Sequence, residues 1–195
     1  MQNILSDRIT RRDNFDLPLE RTFRIALFVI FTAAAGQLAV YLPYTPVPVT
    51  MQTLFVVLAG MVLGPRDGFY AMAGYLALGV SGVPLFAGFA FGPAVLLGPT
   101  GGFLIAFPAA ALISGWLSSV LGEGISRTAV SAAGGMLIIL TLGTASLAVS
   151  AGVSFGSAAS LAAAPFIPGE LIKIVLACVI IRRGSYFHPE GMLRL

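Results

Sequence analysis

Charge is what this chain has least of. Charged side chains make up 10% of its 195 residues, against about 25% in an ordinary soluble domain, and mean hydropathy is +0.95. So few charges cannot cover a soluble globule. Residues 25–65, 68–122 and 128–169 carry none at all. The first two runs each exceed the roughly 20 residues that cross a bilayer, and the second is long enough to cross twice. Histidine is nearly missing as well. His188, the single one, lies in a polar tail, which excludes a Ser/His pair or a multi-histidine zinc site within the apolar segments. One cysteine, Cys178, excludes an internal disulfide and reads as a small core residue. The single lysine, Lys173, has no serine beside it in its own segment, which argues against a Ser–Lys dyad. Gly98-Pro-Thr-Gly-Gly102 continues as Phe103-Leu104, without the Lys-Ser or Lys-Thr that a phosphate loop needs. No enzyme is expected, no metal site, no resident cofactor, and any ATP-driven step requires other subunits.

What is present falls into six apolar segments, which predict an all-α integral membrane protein, a bundle of six transmembrane helices. The first runs from about Thr22 to Tyr41 and stops at Pro43, Pro46 and Pro48, which cannot continue a helix. The second runs from about Val49 to Leu63, ending at the turn signature Gly64-Pro-Arg-Asp-Gly68. The third, Phe69 to about Val80, is short for a full span. A glycine-rich connection over 81–99 precedes the fourth, about Thr100 to Leu121. The fifth is about Thr128 to Val149 and the sixth about Ala164 to Ile181.

Arginines orient these segments. Arg21 and Arg24 precede the first, Arg66 lies between two and three, Arg127 between four and five, and Arg182 with Arg183 follows six. The other connections, 42–48, 81–99 and 150–163, are uncharged. That alternation is what the positive-inside rule predicts for both termini in the cytoplasm. The net charge of +3 and pI near 9.4 therefore report orientation and not nucleic-acid binding. The chain divides into a polar cytoplasmic segment (1–20), a membrane domain (21–183) and a cytoplasmic tail (184–195). No cleavable signal peptide is expected, because the first 20 residues contain no apolar core.

Within this background Glu170 and Lys173 stand out. Three apart, they share one helix face, roughly 60° from each other, with charge-free sequence on both sides. A charge inside a bilayer costs about 2.5 kcal/mol or more, so one that is kept there faces a cavity, a partner or a ligand. A plain i,i+3 ion pair that fixes helix packing competes with the ligand reading. The topology puts the pair in the outer half of its helix, so a ligand arrives from outside. Outer connections rich in proline, glycine and aromatics fit that picture. Phe86, Phe89 and Phe91 can pack on a small heterocycle, and glycines such as Gly88 let backbone amides approach it. Tight turns with ordinary interfacial aromatics read equally well from the same residues.

Five motifs in order then carry a resemblance. Leu42-Pro-Tyr-Thr-Pro-Val-Pro-Val-Thr-Met-Gln-Thr53, Leu63-Gly-Pro-Arg-Asp-Gly68, Gly82-Val-Pro-Leu-Phe86, Leu97-Gly-Pro-Thr-Gly-Gly-Phe103 and Pro165-Phe-Ile-Pro-Gly-Glu-Leu-Ile-Lys173 resemble the BioY family, collinear from about residue 22 to 183. Members are biotin-capturing substrate-binding (S) components of energy-coupling factor (ECF) transporters in the bacterial cell membrane. The resemblance implies a multi-pass six-helix bundle with an outward-facing biotin pocket. It also implies docking to a transmembrane T component and two ABC-type ATPases, although some members are thought to work without them. The family's acid and lysine fall on Glu170 and Lys173, and its ligand-contacting loops on Gln52 and on Phe86, Gly88, Phe89 and Phe91. An Ala-xxx-Ala docking motif is expected on the first helix. Here Ala26 is followed by Ile30, and the matching spacing is Ala35/Ala39, in the outer half. Two other readings stay open: an S component for a different vitamin, and a structural membrane protein in which the Glu170–Lys173 pair only packs helices.

Overall fold

The computed structural model describes residues 18–187. Most of residues 1–20, and His188 with the rest of the tail, lie outside them. Helix α1 (Pro18–Gln37) is followed by a two-stranded antiparallel ladder, β1 (Ala39–Val40) with β2 (Val49–Thr50). Then come α2 (Gln52–Leu63), α3 (Pro65–Val80), a 3₁₀ turn (Ala87–Phe89), the short α4 (Ala94–Leu97), and two long helices, α5 (Gly101–Leu121) and α6 (Ile125–Ala151). A short α7 (Phe155–Ala158) runs through a π turn (Ala159–Ala163) to α8 (Ile167–Phe187).

The segment expectations hold at their centres and shift at their ends. The first helix stops at Gln37 and not near Tyr41, because Ala39 and Val40 pair with Thr50 and Val49 instead. The connection between the strands contains Pro43, Pro46 and Pro48 and turns where the Thr45 N–H meets the Leu42 carbonyl at 3.4 Å. The third helix starts four residues early: Pro65 sits at its first positions, where a missing N–H is harmless. The uncharged stretch 150–163 is largely helical, and it meets α8 at a bend of 55°. The last helix continues past Arg183, the expected domain edge, to Phe187.

Among the described residues, α5 and α6 are long and apolar enough to cross a membrane, and the bent 155–183 pair makes a third if counted as one span. The chain is thus an α-helical membrane protein. α5 lies at the centre, packed on α2, α3, α4 and α6. Glycines permit that closeness: a Cβ on Gly115 would lie 2.5 Å from the Gly60 carbonyl oxygen, and one on Gly135 would lie 2.9 Å from that of Ala110. Tyr75, Phe86, Phe103, Phe107 and Phe166 cluster in the core at one end of the bundle. At the other end Arg21 at the start of α1 pairs with Asp67 at the start of α3, Nη2 to Oδ1 at 2.6 Å and Nε to Oδ2 at 2.9 Å.

Candidate functional site

The bend before α8 decides where the charges go. Phe166 accepts the Glu170 N–H at 2.9 Å, so Glu170 occupies the first turn of α8, where the helix dipole favours an anion. One turn on, Lys173 lies on the same face. Both are buried, at 6% and 3% exposure, and Lys173 Nζ lies 2.6 Å from Glu170 Oε1. Thr53, in the first turn of α2, completes the arrangement. Its Oγ1 accepts a hydrogen bond from Lys173 Nζ at 2.9 Å and faces Glu170 Oε2 at 3.0 Å and Oε1 at 3.1 Å. The hydroxyl's single proton points to the carboxylate while its lone pair takes the ammonium. The result is a closed, net-neutral triad across two helices.

Gln52 is placed with similar care. Its Nε2 donates to the Tyr75 hydroxyl at 2.5 Å, which donates in turn to the Leu85 carbonyl at 3.1 Å. Thr50 donates to Gln52 Oε1 at 3.2 Å. Gly36 of α1 lies directly against this amide; a Cβ there would be 2.8 Å from Nε2. The side chain therefore has little freedom to turn.

Thr50, Gln52 and the triad line one cavity of about 210 Å³. Its polar side is Gln52, Thr53, Glu170 and Lys173, and its apolar walls include Phe86, Phe103, Phe107, Ile139 and Phe166. Among the described residues no other charged side chain lines it. The hairpin (Tyr41, Val47) and Ala87 with Ala90 line it as well. Flat aromatic walls around a few convergent polar groups suit a small, mainly apolar molecule with hydrogen-bonding edges.

Of the residues expected to form the site, the fold brings together Gln52, Phe86, Glu170 and Lys173. Gly88, Phe89 and Phe91 are not part of the lining. The turn that begins at Phe86 puts Gly88 (φ 67°) and Phe89 (φ 58°) in the left-handed region, which swings the Phe89 ring outward to 65% exposure, and Phe91 is 59% exposed. Gly88 instead packs on the hairpin, where a Cβ would sit 2.7 Å from the Tyr41 hydroxyl. Nor do Ala35 and Ala39 form an exposed helical stripe: Ala35 is buried at 2%, and Ala39 lies in the ladder after α1 has ended. Thr53 and Tyr75 received no role from sequence. Thr53 stands in a quoted motif, beside Gln52; Tyr75 had no signal, because its partners come from elsewhere in the chain.

The comparisons with known proteins fit this geometry. A family model described as the BioY family matches residues 8–189. A probable biotin transporter BioY of Pyrococcus horikoshii is 43% identical over 159 residues, 82% of this chain and 92% of that protein. A biotin transporter BioY of Thermotoga maritima is 38% identical over 162 residues, 83% of this chain and 95% of that one. Among solved structures, the S-component for biotin from an ECF-type ABC transporter superposes with a TM-score of 0.81 at 26% identity. That likeness covers 91% of this chain and 95% of the other.

Proposed function

The chain belongs to the BioY family, and from that premise we propose that it serves biotin uptake, binding the vitamin in the cavity between Gln52, Phe86 and the Lys173–Thr53–Glu170 triad. The buried triad carries this reading. A hydrophobic trio of similar volume would hold two helices at least as well as a buried ion pair, whereas a cavity-lining carboxylate and ammonium match the ligand's chemistry. The carboxylate accepts the ureido N–H groups. The ammonium donates to the ureido oxygen or the valerate carboxylate. The aromatic walls cover the bicyclic ring.

The wider reading follows the family. The protein crosses the bacterial cell membrane six times with both termini in the cytoplasm, takes biotin from outside, and carries no resident cofactor. It acts in transport and not in catalysis. The loaded bundle reorients and delivers biotin inside, with an ECF T component and two ABC-type ATPases supplying the drive. The docking surface we assign to the T component is the exposed α1 stripe Phe23, Ala26, Ile30 and Ala34, in place of Ala35/Ala39.

A packing role for the pair has one observation in its favour, since Thr53 ties α2 to α8 through hydrogen bonds to both charged side chains. Equilibrium biotin binding to the purified protein, wild type beside Lys173→Ala, separates the two. Tight binding lost in a monodisperse variant is expected. Equal binding by both proteins would move the site away from α8, and a folded wild type that ignores biotin would point to another vitamin.

A further inference from the structure

Gln37, the last residue of α1, shares the uncharged run 25–65 with one other amide, Gln52. Gln52 lines the cavity. Gln37 does not, yet its amide is fully engaged. Nε2 donates to the Ala33 carbonyl of its own helix at 3.2 Å and to the Phe86 carbonyl at 3.1 Å, while Oε1 accepts the Phe89 N–H at 3.1 Å. Two carbonyls face one end of the amide and an N–H faces the other, so a single orientation satisfies all three.

The segment it holds is the cavity wall. Phe86 is 1% exposed and lines the cavity together with Ala87 and Ala90. Besides the hydrogen bonds of the 3₁₀ turn itself, the segment is closed by Phe86 N–H to the Ala90 carbonyl at 3.1 Å. Gly88 and Phe89 are consecutive left-handed residues. A non-glycine residue keeps that conformation only where its surroundings over-determine it. Gln37 supplies such a constraint at Phe89's own N–H. Next to it, Gly36 packs on Gln52, so the last turn of α1 touches both a cavity-lining amide and the cavity wall.

We propose that Gln37 is a positioning residue that governs ligand retention: it clasps the 86–89 turn to the end of α1, and the wall bearing Phe86 must release Gln37 before the ligand leaves. The proposal deepens the biotin reading and rests on it for the ligand, though not for the clasp itself.

Gln37→Met tests it, because methionine keeps the length and bulk of glutamine but neither of the two hydrogen bonds to the turn. Two measurements are made on the full chain. Hydrogen exchange of the 82–92 backbone in ligand-free protein reads the clasp without reference to any ligand. Release of labelled biotin into excess unlabelled biotin reads its consequence. Losing two hydrogen bonds of ordinary net strength corresponds to a factor of roughly ten to thirty. Exchange at the Phe89 amide and biotin release should both accelerate by about that much, with association changed by less than about threefold. A merely structural contribution would lower stability without splitting release from association. Unchanged exchange in the turn would overturn the clasp. Faster exchange with release within about twofold of wild type would show that the turn is not on the exit path, and the proposal would fail while biotin binding stood. A wild type that binds no biotin would count against the ligand reading, and exchange would still decide the clasp. If Gln37→Met is not monodisperse, Gln37→Asn, an amide one methylene too short to reach the turn, puts the same question.

Discussion

A threonine hydroxyl has one proton to give and lone pairs to accept with, and Thr53 uses both between two opposite charges. Its donor side faces Glu170 and its acceptor side Lys173. This makes the three residues separable by substitution. Lys173→Met leaves a buried carboxylate without its cation, and about 3–5 kcal/mol of stability should go with it. Adding Glu170→Leu removes the orphaned charge, and stability should return to within about 2 kcal/mol of wild type. Thr53→Val keeps the shape and costs about 1–3 kcal/mol. Biotin binding should follow a different order: lost in Lys173→Met, still lost in the restabilised double variant, and weakened about tenfold in Thr53→Val. Thermal unfolding in detergent and calorimetric titration read the two series. A double variant that is stable and still binds biotin would reduce the triad to a packing device.

At the scale of elements, helix spacing is set by backbone touching backbone. A Cβ on Gly60 of α2 would run into the Ala111 carbonyl of α5, and one on Gly68 of α3 would lie 2.7 Å from the Gly60 Cα. Neither neighbour is a flexible side chain that could move aside. Gly60→Ala should therefore cost about 1–3 kcal/mol through overpacking. Gly74→Ala, with nothing within 4 Å, should be neutral or stabilise by up to about 1 kcal/mol through helix propensity. Melting temperatures of the two variants measured side by side check this, and equal losses would mean the packing contact is not what limits Gly60. The same distinction explains what was legible in the sequence. The long helices were, since charge-free runs between glycine, proline and arginine signals bound α5 to within one residue of its expected start at Thr100. The Glu170–Lys173 pair was as well, because two charges at helical spacing stand out against apolar sequence. Thr53 was not, because a hydroxyl in an apolar span ordinarily bonds its own backbone, and its partners here come from α8. The end of α1 at Gln37 depended on a ladder that pairs Val40 with Val49 and Ala39 with Thr50 across a proline-rich connection, which composition cannot show. Phe86 and Phe89 could not be told apart for a similar reason: a left-handed turn has no period, so nothing in the sequence says which ring faces inward.

The whole molecule has a polarity that follows from where each helix meets the cavity. α2 begins there at Gln52 and Thr53 and runs to the start of α3, which carries Arg66 and Asp67. α5 begins just after Thr100, also in the lining, and runs to the connection with Glu123 and the start of α6 with Arg127. α8 begins with Glu170 and Lys173 and runs to Arg182 and Arg183. Asp67 also meets Arg21 at the start of α1. Apart from the cavity pair, the described charges thus gather at the end opposite the cavity, and positive charge is retained on the cytoplasmic side. If that rule sets the orientation, the cavity opens outward, as capture from outside requires. The arrangement is testable with single cysteines, because replacing Cys178 with alanine leaves a thiol-free chain. Tyr44→Cys in the hairpin, where Tyr44 is 58% exposed, should react with a membrane-impermeant maleimide on intact cells. Glu123→Cys, in the exposed turn between α5 and α6, should react only after the membrane is opened. The reverse pattern would place the cavity on the cytoplasmic side, where the same residues could bind biotin but could not take it from the medium in this conformation.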